Sequence, residues 1–246
     1  MITTKLTIKF FTPLISALTL VYTMMHDAHS HDTEHKQNTQ PGHDHLHETH
    51  SSTGHMHKRF EDPEKWAQKF DDPNRDAWQK PDAVVDALAL RKNQVLADIG
   101  AGTGYFTVRI AKRYPESKII AVDIEPDMVA YVANRAKAAG LKNVETTLTF
   151  ADRDVELPEP ADVIFIADTY HHIPDREKYF SHLSKFLKKD GKLAIIDFKI
   201  DSPEGPPVEH RIKPEQIQKE LEPSAFYLEQ SVDLLPYQYF LIFKKK

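Results

Sequence analysis

From about residue 80 onward, short apolar runs alternate with segments whose apolar positions recur at helical spacing. Pro81 opens a segment carrying Val84, Val85, Leu88 and Leu90, which predicts a helix. Residues 95–99, 118–122, 161–167 and 193–196 are largely apolar runs and predict strands, with a further strand around 144–150. Between them the pattern predicts a helix from Tyr105 that stops near Pro115. A second starts with Asp127 as its cap and closes at Gly140, and a third covers residues 175–187 with Tyr179, Phe180, Leu183 and Leu187 on one side. Asp190-Gly191 predicts a turn into the strand at 193–196. Strands alternating with helices imply an α/β chain with a doubly wound, mostly parallel sheet covered on both faces. The last third breaks the alternation. Phe226-Tyr227-Leu228 and the run 239–243 predict two closing strands, the second ending in Lys244-Lys245-Lys246.

The first predicted strand ends in an acid and three spaced glycines: Asp98-Ile99-Gly100-Ala101-Gly102-Thr103-Gly104. Glycine lacks the Cβ that holds a ligand off the backbone, and it reaches positive φ freely. Nucleotide-like ligands bind at such strand-to-helix crossings in open α/β sheets. A dinucleotide fingerprint would read G-x-G-x-x-G. Here Gly104 comes one position early and Tyr105 stands where that third glycine would fall. Together with the lack of a second nucleotide-binding half, this counts against an NAD(P)-dependent oxidoreductase.

The N-terminal part reads differently. Lys5 and Lys9 precede a largely apolar stretch over residues 10–25, and Ala28-His29-Ser30 offers small residues for cleavage. Residues 1–28 therefore read as a secretory signal peptide or an N-terminal anchor, which predicts export. Translation starting at Met24 or Met25 would instead leave a cytoplasmic protein. Residues 26–57 hold ten of the fourteen histidines, with Ala28, Leu46 and Met56 as their only apolar side chains. So poor a segment cannot bury enough surface to offset its ordering entropy, and 29–57 is expected to be a disordered His-rich linker. Its His-x-His pairs suit weak binding of a transition metal, against the plainer reading of a solvated linker. The folded domain is expected over 58–246. A formal charge of −5 gives no electrostatic footprint for nucleic acid. With no cysteine, disulfides, thiolate zinc sites and cysteine nucleophiles are excluded.

The D-x-G-x-G-x-G order around Asp98 resembles the first motif of class I S-adenosylmethionine (SAM) dependent methyltransferases. Val122-Asp123-Ile124-Glu125-Pro126 resembles their second motif, Ala151-Asp152-Arg153 their adenine-contacting segment, and Asp168-Thr169-Tyr170-His171-His172-Ile173-Pro174-Asp175 the post-strand loop of small-molecule methyltransferases. The resemblance spans roughly residues 81–243. It implies a seven-stranded sheet with an antiparallel hairpin near the C-terminus, SAM as cofactor and a small-molecule acceptor. It further implies that Asp98 holds the methionyl ammonium and that Gly100, Gly102 and Gly104 admit the cofactor. Asp123, with Ile124 beside it, would bind the ribose. Asp152 would take the adenine amino group, with Asp154 as a rival, and Asp168 would border the cofactor. Tyr170, His171 and His172 would then meet the acceptor, and a histidine could serve as general base because imidazole titrates near neutrality. The alternative is that one ring caps the helix at Asp175 while the other packs on the sheet.

Two clusters lie outside these motifs. Trp78, within residues 72–81, is placed where a lid could close over the cofactor, although a lone Trp is often core packing. His210 and Arg211 follow the proline-rich stretch 202–207 on the acceptor side, where Arg211 could bind an anionic group or form a surface ion pair. A non-catalytic exported protein that keeps the fold and binds metal or ligand is the remaining rival reading.

Overall fold

The computed structural model describes residues 62–150 and 154–246. The chain divides into two units, Met1–Gly54 and His55–Lys246, and every described residue belongs to the second. The expected leader or anchor, the His-rich linker and Asp152 lie outside the described residues. No helix among those described is long and apolar enough to cross a membrane.

Two helices precede the sheet, α1 (Pro63–Phe70) and α2 (Pro73–Gln79), followed by α3 (Pro81–Ala87). The first two begin with an Asp-Pro pair. Asp62 accepts from the Lys65 N–H at 3.2 Å and Asp72 from the Asn74 N–H at 2.9 Å, while the proline occupies the first helical turn. The aspartate satisfies an orphan donor, and proline has no N–H to leave unsatisfied. Strands and helices then alternate as β1 (Val95–Ile99), α4 (Tyr105–Arg113), β2 (Lys118–Asp123), α5 (Pro126–Ala138), β3 (Val144–Leu148), β4 (Ala161–Ala167), α6 (Arg176–Leu183), β5 (Leu187–Phe198) and α7 (Pro214–Leu221). The chain closes with β6 (Phe226–Val232) and β7 (Gln238–Lys245).

The seven strands lie in the order β3-β2-β1-β4-β5-β7-β6. Strands β1 to β5 pair in parallel, whereas β7 runs antiparallel to both β5 and β6. This is the doubly wound sheet with a C-terminal antiparallel hairpin that the sequence predicts. Strand β1 is buried at every position, as a strand covered on both faces must be. Successive side chains alternate between the faces. Val95, Ala97, Ile99, Ile164 and Ile166 join Phe180, Leu183 and Ile217 of α6 and α7 on one side. Leu96, Val163 and Phe165 join Val84, Leu88, Phe106 and Ile110 of α3 and α4 on the other. Phe165 is fully buried with its ring edge-on to Phe106, so Phe165→Ala should cost about 3–5 kcal/mol.

Three local expectations need correction. The helix expected over 175–187 stops at Leu183, and a 3-10 turn, Ser184–Phe186, leads directly into β5. Asp190-Gly191 is not a turn before the strand but part of a bulge within it: Ala161 pairs with Leu187, and Val163 next pairs with Lys192. The N-cap of α5 is Glu125, so Asp127 lies in the first turn, where a negative charge still complements the helix dipole.

Candidate active site

Four strand ends and α2 converge at the carboxyl edge of the parallel strands. The first end is the glycine loop. Its start is pinned to β2, because the N–H groups of Gly100 and Ala101 donate to the Val122 carbonyl at 2.8 and 3.1 Å. Gly100 has φ +73°, and a Cβ there would stand 2.3 Å from Thr169 Oγ1. Both the turn and the close approach of the loop after β4 therefore demand glycine.

Asp123 ends β2 nearly buried. Its Oδ2 accepts from Gly102 N–H at 2.7 Å and its Oδ1 from Glu125 N–H at 3.0 Å, fixing the carboxylate beside the glycine loop with Ile124, partly exposed, next to it. Burial pushes its pKa up against these backbone donors. Asp98, 3% exposed, accepts from Thr107 Oγ1 at 2.6 Å. Burial drives its carboxyl up to about 7, with the Thr107 bond opposing and the Asp123 charge adding to the rise. On the same loop Thr103 Oγ1 is buried without a partner. A costly buried acid and an orphan hydroxyl on one glycine turn suit a ligand that brings a cation and a hydrogen-bonding group, as the amino-acid part of SAM does. The residues present fit that cofactor. Asp98, Gly100, Gly102, Thr103, Gly104 and Asp123 are the ones that would hold it.

The third and fourth ends, those of β4 and β5, meet at a histidine. A 3-10 turn, Tyr170–His172, follows β4. His171 Nδ1 lies 2.9 and 3.0 Å from the two oxygens of Asp197 near the end of β5, and its N–H donates to Asp197 Oδ2 at 3.1 Å. Both side chains are buried, at 5% and 2% exposure. An ionised carboxylate only accepts, so it places the neutral imidazole's proton on Nδ1 and leaves a lone pair on Nε2. Such a pair can accept a proton at Nε2 and share the resulting charge with the carboxylate. The His172 ring lies 4.1 Å from that of His171, in an exposed residue.

Other expected site residues are placed differently. Tyr170 is fully buried and stacks on Phe180, and its hydroxyl donates to Glu220 Oε2 at 2.7 Å, where Arg176 also binds. It is a core residue, turned away from the acceptor side, because its large ring fills the space between the sheet and α6. Asp168 is engaged within the protein: Arg75, Gln79 and Gln238 all donate to it. Arg211 donates from Nε and Nη1 to the carbonyls of Pro206, Lys199, Ile200 and Ser202, so it staples its own loop. His210 sits exposed in the short 3-10 turn Val208–His210. Asp154, the rival for adenine, is turned to α6, with His182 Nδ1 at 3.5 Å and Lys178 Nζ at 3.9 Å. Trp78 packs with Phe198 and Tyr237, each ring centre 6.0 Å away, which brings it next to Asp197 along the chain.

The first helices are bound firmly to this edge. Tyr105 donates to Asp76 Oδ1 at 2.6 Å, and the Arg75 and Arg109 guanidiniums lie 4.2 and 4.0 Å from its ring centre. Arg135 joins Asp71 at 2.9 Å to the Thr103 carbonyl at 2.8 Å. The position that departs from the dinucleotide fingerprint is thus the seat of α2. Sequence reasoning missed Asp197, Arg75, Gln79 and Gln238. Asp197 carries the same signature as Asp98 and Asp123, an acid closing an apolar strand, and could have been found by it.

Comparison with known proteins agrees with this geometry. A family model described as a methyltransferase domain matches residues 90–235. A malonyl-[acyl-carrier protein] O-methyltransferase of Ilyobacter polytropus is 36% identical over 111 residues, 44% of this chain and 39% of that enzyme. A demethylmenaquinone methyltransferase of Thermus thermophilus is 29% identical over 116 residues, 45% of this chain and 50% of that enzyme. The chain thus spans half or less of the length of these curated relatives. A crystal structure of a SAM-dependent methyltransferase from Aquifex aeolicus superposes with a TM-score of 0.67 at 28% identity, covering 74% of this chain and 97% of the other. With the family model spanning more than half of its residues, the chain belongs to the class I SAM-dependent methyltransferases.

Proposed function

We propose that the protein transfers a methyl group from SAM to an acidic hydroxyl, phenolic or enolic, of a small molecule, with His171 as general base. The observation that carries this reading is the buried contact of His171 Nδ1 with Asp197. The named relatives carry the names of different acceptors, malonyl-[acyl-carrier protein] and demethylmenaquinone, so similarity alone does not select one. The buried pair supports a hydroxyl. A neutral amine and an ionised carboxylate each offer a lone pair without losing a proton, and neither uses a buried imidazole–carboxylate pair. A phenol, with a pKa of about 10, lies within reach of imidazole, whereas an aliphatic alcohol, closer to the roughly 15.7 of water, does not.

Bound SAM supplies an electrophilic sulfonium methyl. The chain's residues do the rest. Asp98, the glycine loop and Asp123 hold the donor, and α2 with Trp78 shields the acceptor side from water. Nε2 of His171 takes the hydroxyl proton as the oxygen becomes nucleophilic. Asp197 then stabilises the imidazolium through Nδ1–H. Most of the acceleration comes from holding donor and acceptor in line.

The test is a panel of phenols, enols, amines and carboxylates assayed with methyl-labelled SAM. Phenols or enols should be methylated, and His171→Asn should lower kcat by about 10²–10⁴ with cofactor affinity nearly unchanged. Full turnover of His171→Asn on every accepted substrate would refute the base.

A further inference from the structure

Asp168 is the centre of a closed polar network. One oxygen accepts from Arg75 Nη2 at 2.7 Å and Gln79 Nε2 at 3.1 Å, and the other accepts from Gln238 Nε2. Gln79 Nε2 also donates to Gln238 Oε1 at 2.9 Å, and Arg75 Nε donates to Gln79 Oε1. Both glutamines are fully buried. Such a network exceeds what docking a short helix needs, since apolar contacts would hold α2 without desolvating an ion pair. Asp168 also has φ +57°, a strained conformation for a residue other than glycine, so its side-chain bonds fix the backbone where the loop leaves β4.

That loop carries His171 three residues later. The Asp168 N–H donates to the carbonyl of Ile196, the residue before Asp197. Asp168 and Asp197 thus end neighbouring strands, and each feels the other's charge. Burial and Asp197 raise the Asp168 pKa, while Arg75 opposes the rise. We propose that Arg75 and Asp168 are positioning residues for the His171–Asp197 base. They dock α2, with Trp78, onto the loop that presents the imidazole, and Arg75 cancels the second carboxylate charge so that Asp197 alone sets the histidine's basicity.

The groups around the pair come from five elements. Asp168 and the His172 ring share its loop, and Arg75 of α2 is paired with Asp168. From β7 comes Tyr239, whose hydroxyl donates to the Ile212 carbonyl, and one layer farther out Glu220 of α7 is paired with Arg176 of α6. Among the described residues, Arg75 and Asp168 form the ion pair that joins α2 to the loop itself.

The proposal rests on the reading of His171 as base, yet its test needs no acceptor. The His171 ring is titrated by NMR in the full chain, its signals identified by their loss in His171→Asn. Arg75→Ala should raise the midpoint by about 0.5–1 pH unit, since an uncompensated carboxylate favours imidazolium. Asp168→Asn should lower it by a similar amount, because Arg75 then faces the pair unopposed. Arg75→Lys, which keeps the charge, should stay near the wild type. Midpoints that move in the same direction in Arg75→Ala and Asp168→Asn, or in neither, would overturn the proposal in favour of a purely structural latch. Should Arg75→Ala fail to fold, a downward shift in Asp168→Asn with none in Arg75→Lys supports the proposal, and any other result for that pair overturns it. Failure of the reading of His171 as base would appear separately, as turnover that survives His171→Asn.

Discussion

Thr107 Oγ1 donates to Asp98 Oδ2 at 2.6 Å, a buried hydroxyl of α4 reaching back to the acid near the end of β1. This one bond does not offset the burial of the carboxyl, whose pKa rises from 3.8 to about 7. Between those values the folded chain holds a proton that the unfolded chain has lost. The stabilising contribution is full below the unfolded value and fades as pH rises through about 7.

Asp98→Asn should therefore stabilise the ligand-free protein at pH 8 and change it far less at pH 4, where the folded carboxyl is neutral and the unfolded one only about half ionised. Thermal unfolding at the two pH values reads this directly. The same variant should bind S-adenosylhomocysteine more weakly at pH 8. In the wild type, affinity should fall as pH drops below about 7, because a ligand cation must compete with the proton. A stability gain that is equal at both pH values contradicts the assignment.

Gly100 and Gly102 should respond differently to alanine. Both have positive φ, costing about 1–2 kcal/mol in a residue with a Cβ. At Gly100 the new Cβ also meets Thr169 at 2.3 Å, whereas at Gly102 it meets only the Phe70 ring at 3.8 Å. Urea unfolding should show Gly100→Ala to be the more damaging, and Thr169→Ala in the same chain should recover part of the loss. Equal costs would mean that the loop after β4 does not press on the glycine turn.

Tyr170→Phe separates core from catalysis. The hydroxyl it removes is bound to Glu220, which keeps Arg176 and Gln216, so the stability cost should be about 0.5–1.5 kcal/mol. Turnover and cofactor affinity should stay at the wild-type level once the protein is folded. A large fall in kcat would return Tyr170 to the acceptor site.

Much of the sheet is legible in the chain because its central strands are buried on both faces and so appear as mostly apolar runs, as residues 95–99 and 161–167 do, each interrupted by one aspartate. The edge strand β3 alternates instead, and its end at Leu148 is blurred by the half-exposed Phe150 beyond it. Helix α6 ends early because Leu187, though at the right spacing, packs in the same core from a strand. Residues 62–79 hold the clearest missed signal. Their two Asp-Pro pairs are capping signatures, and five of the seven α-helices among the described residues begin at a proline. At the site, the glycine turn and the acids at strand ends are local features that a sequence displays. The partners are not. Arg75 and Asp168 are 93 residues apart, and His171 and Asp197 are 26 apart, so only the fold brings each pair together.

The account turns on what the glycine loop binds. Calorimetry of the full chain with S-adenosylhomocysteine and, separately, with NAD measures it directly. The account predicts micromolar-range binding of S-adenosylhomocysteine, weakened by about 1.5–3 kcal/mol in Asp123→Ala, and no measurable heat from NAD. Tight NAD binding without any response to S-adenosylhomocysteine would contradict it.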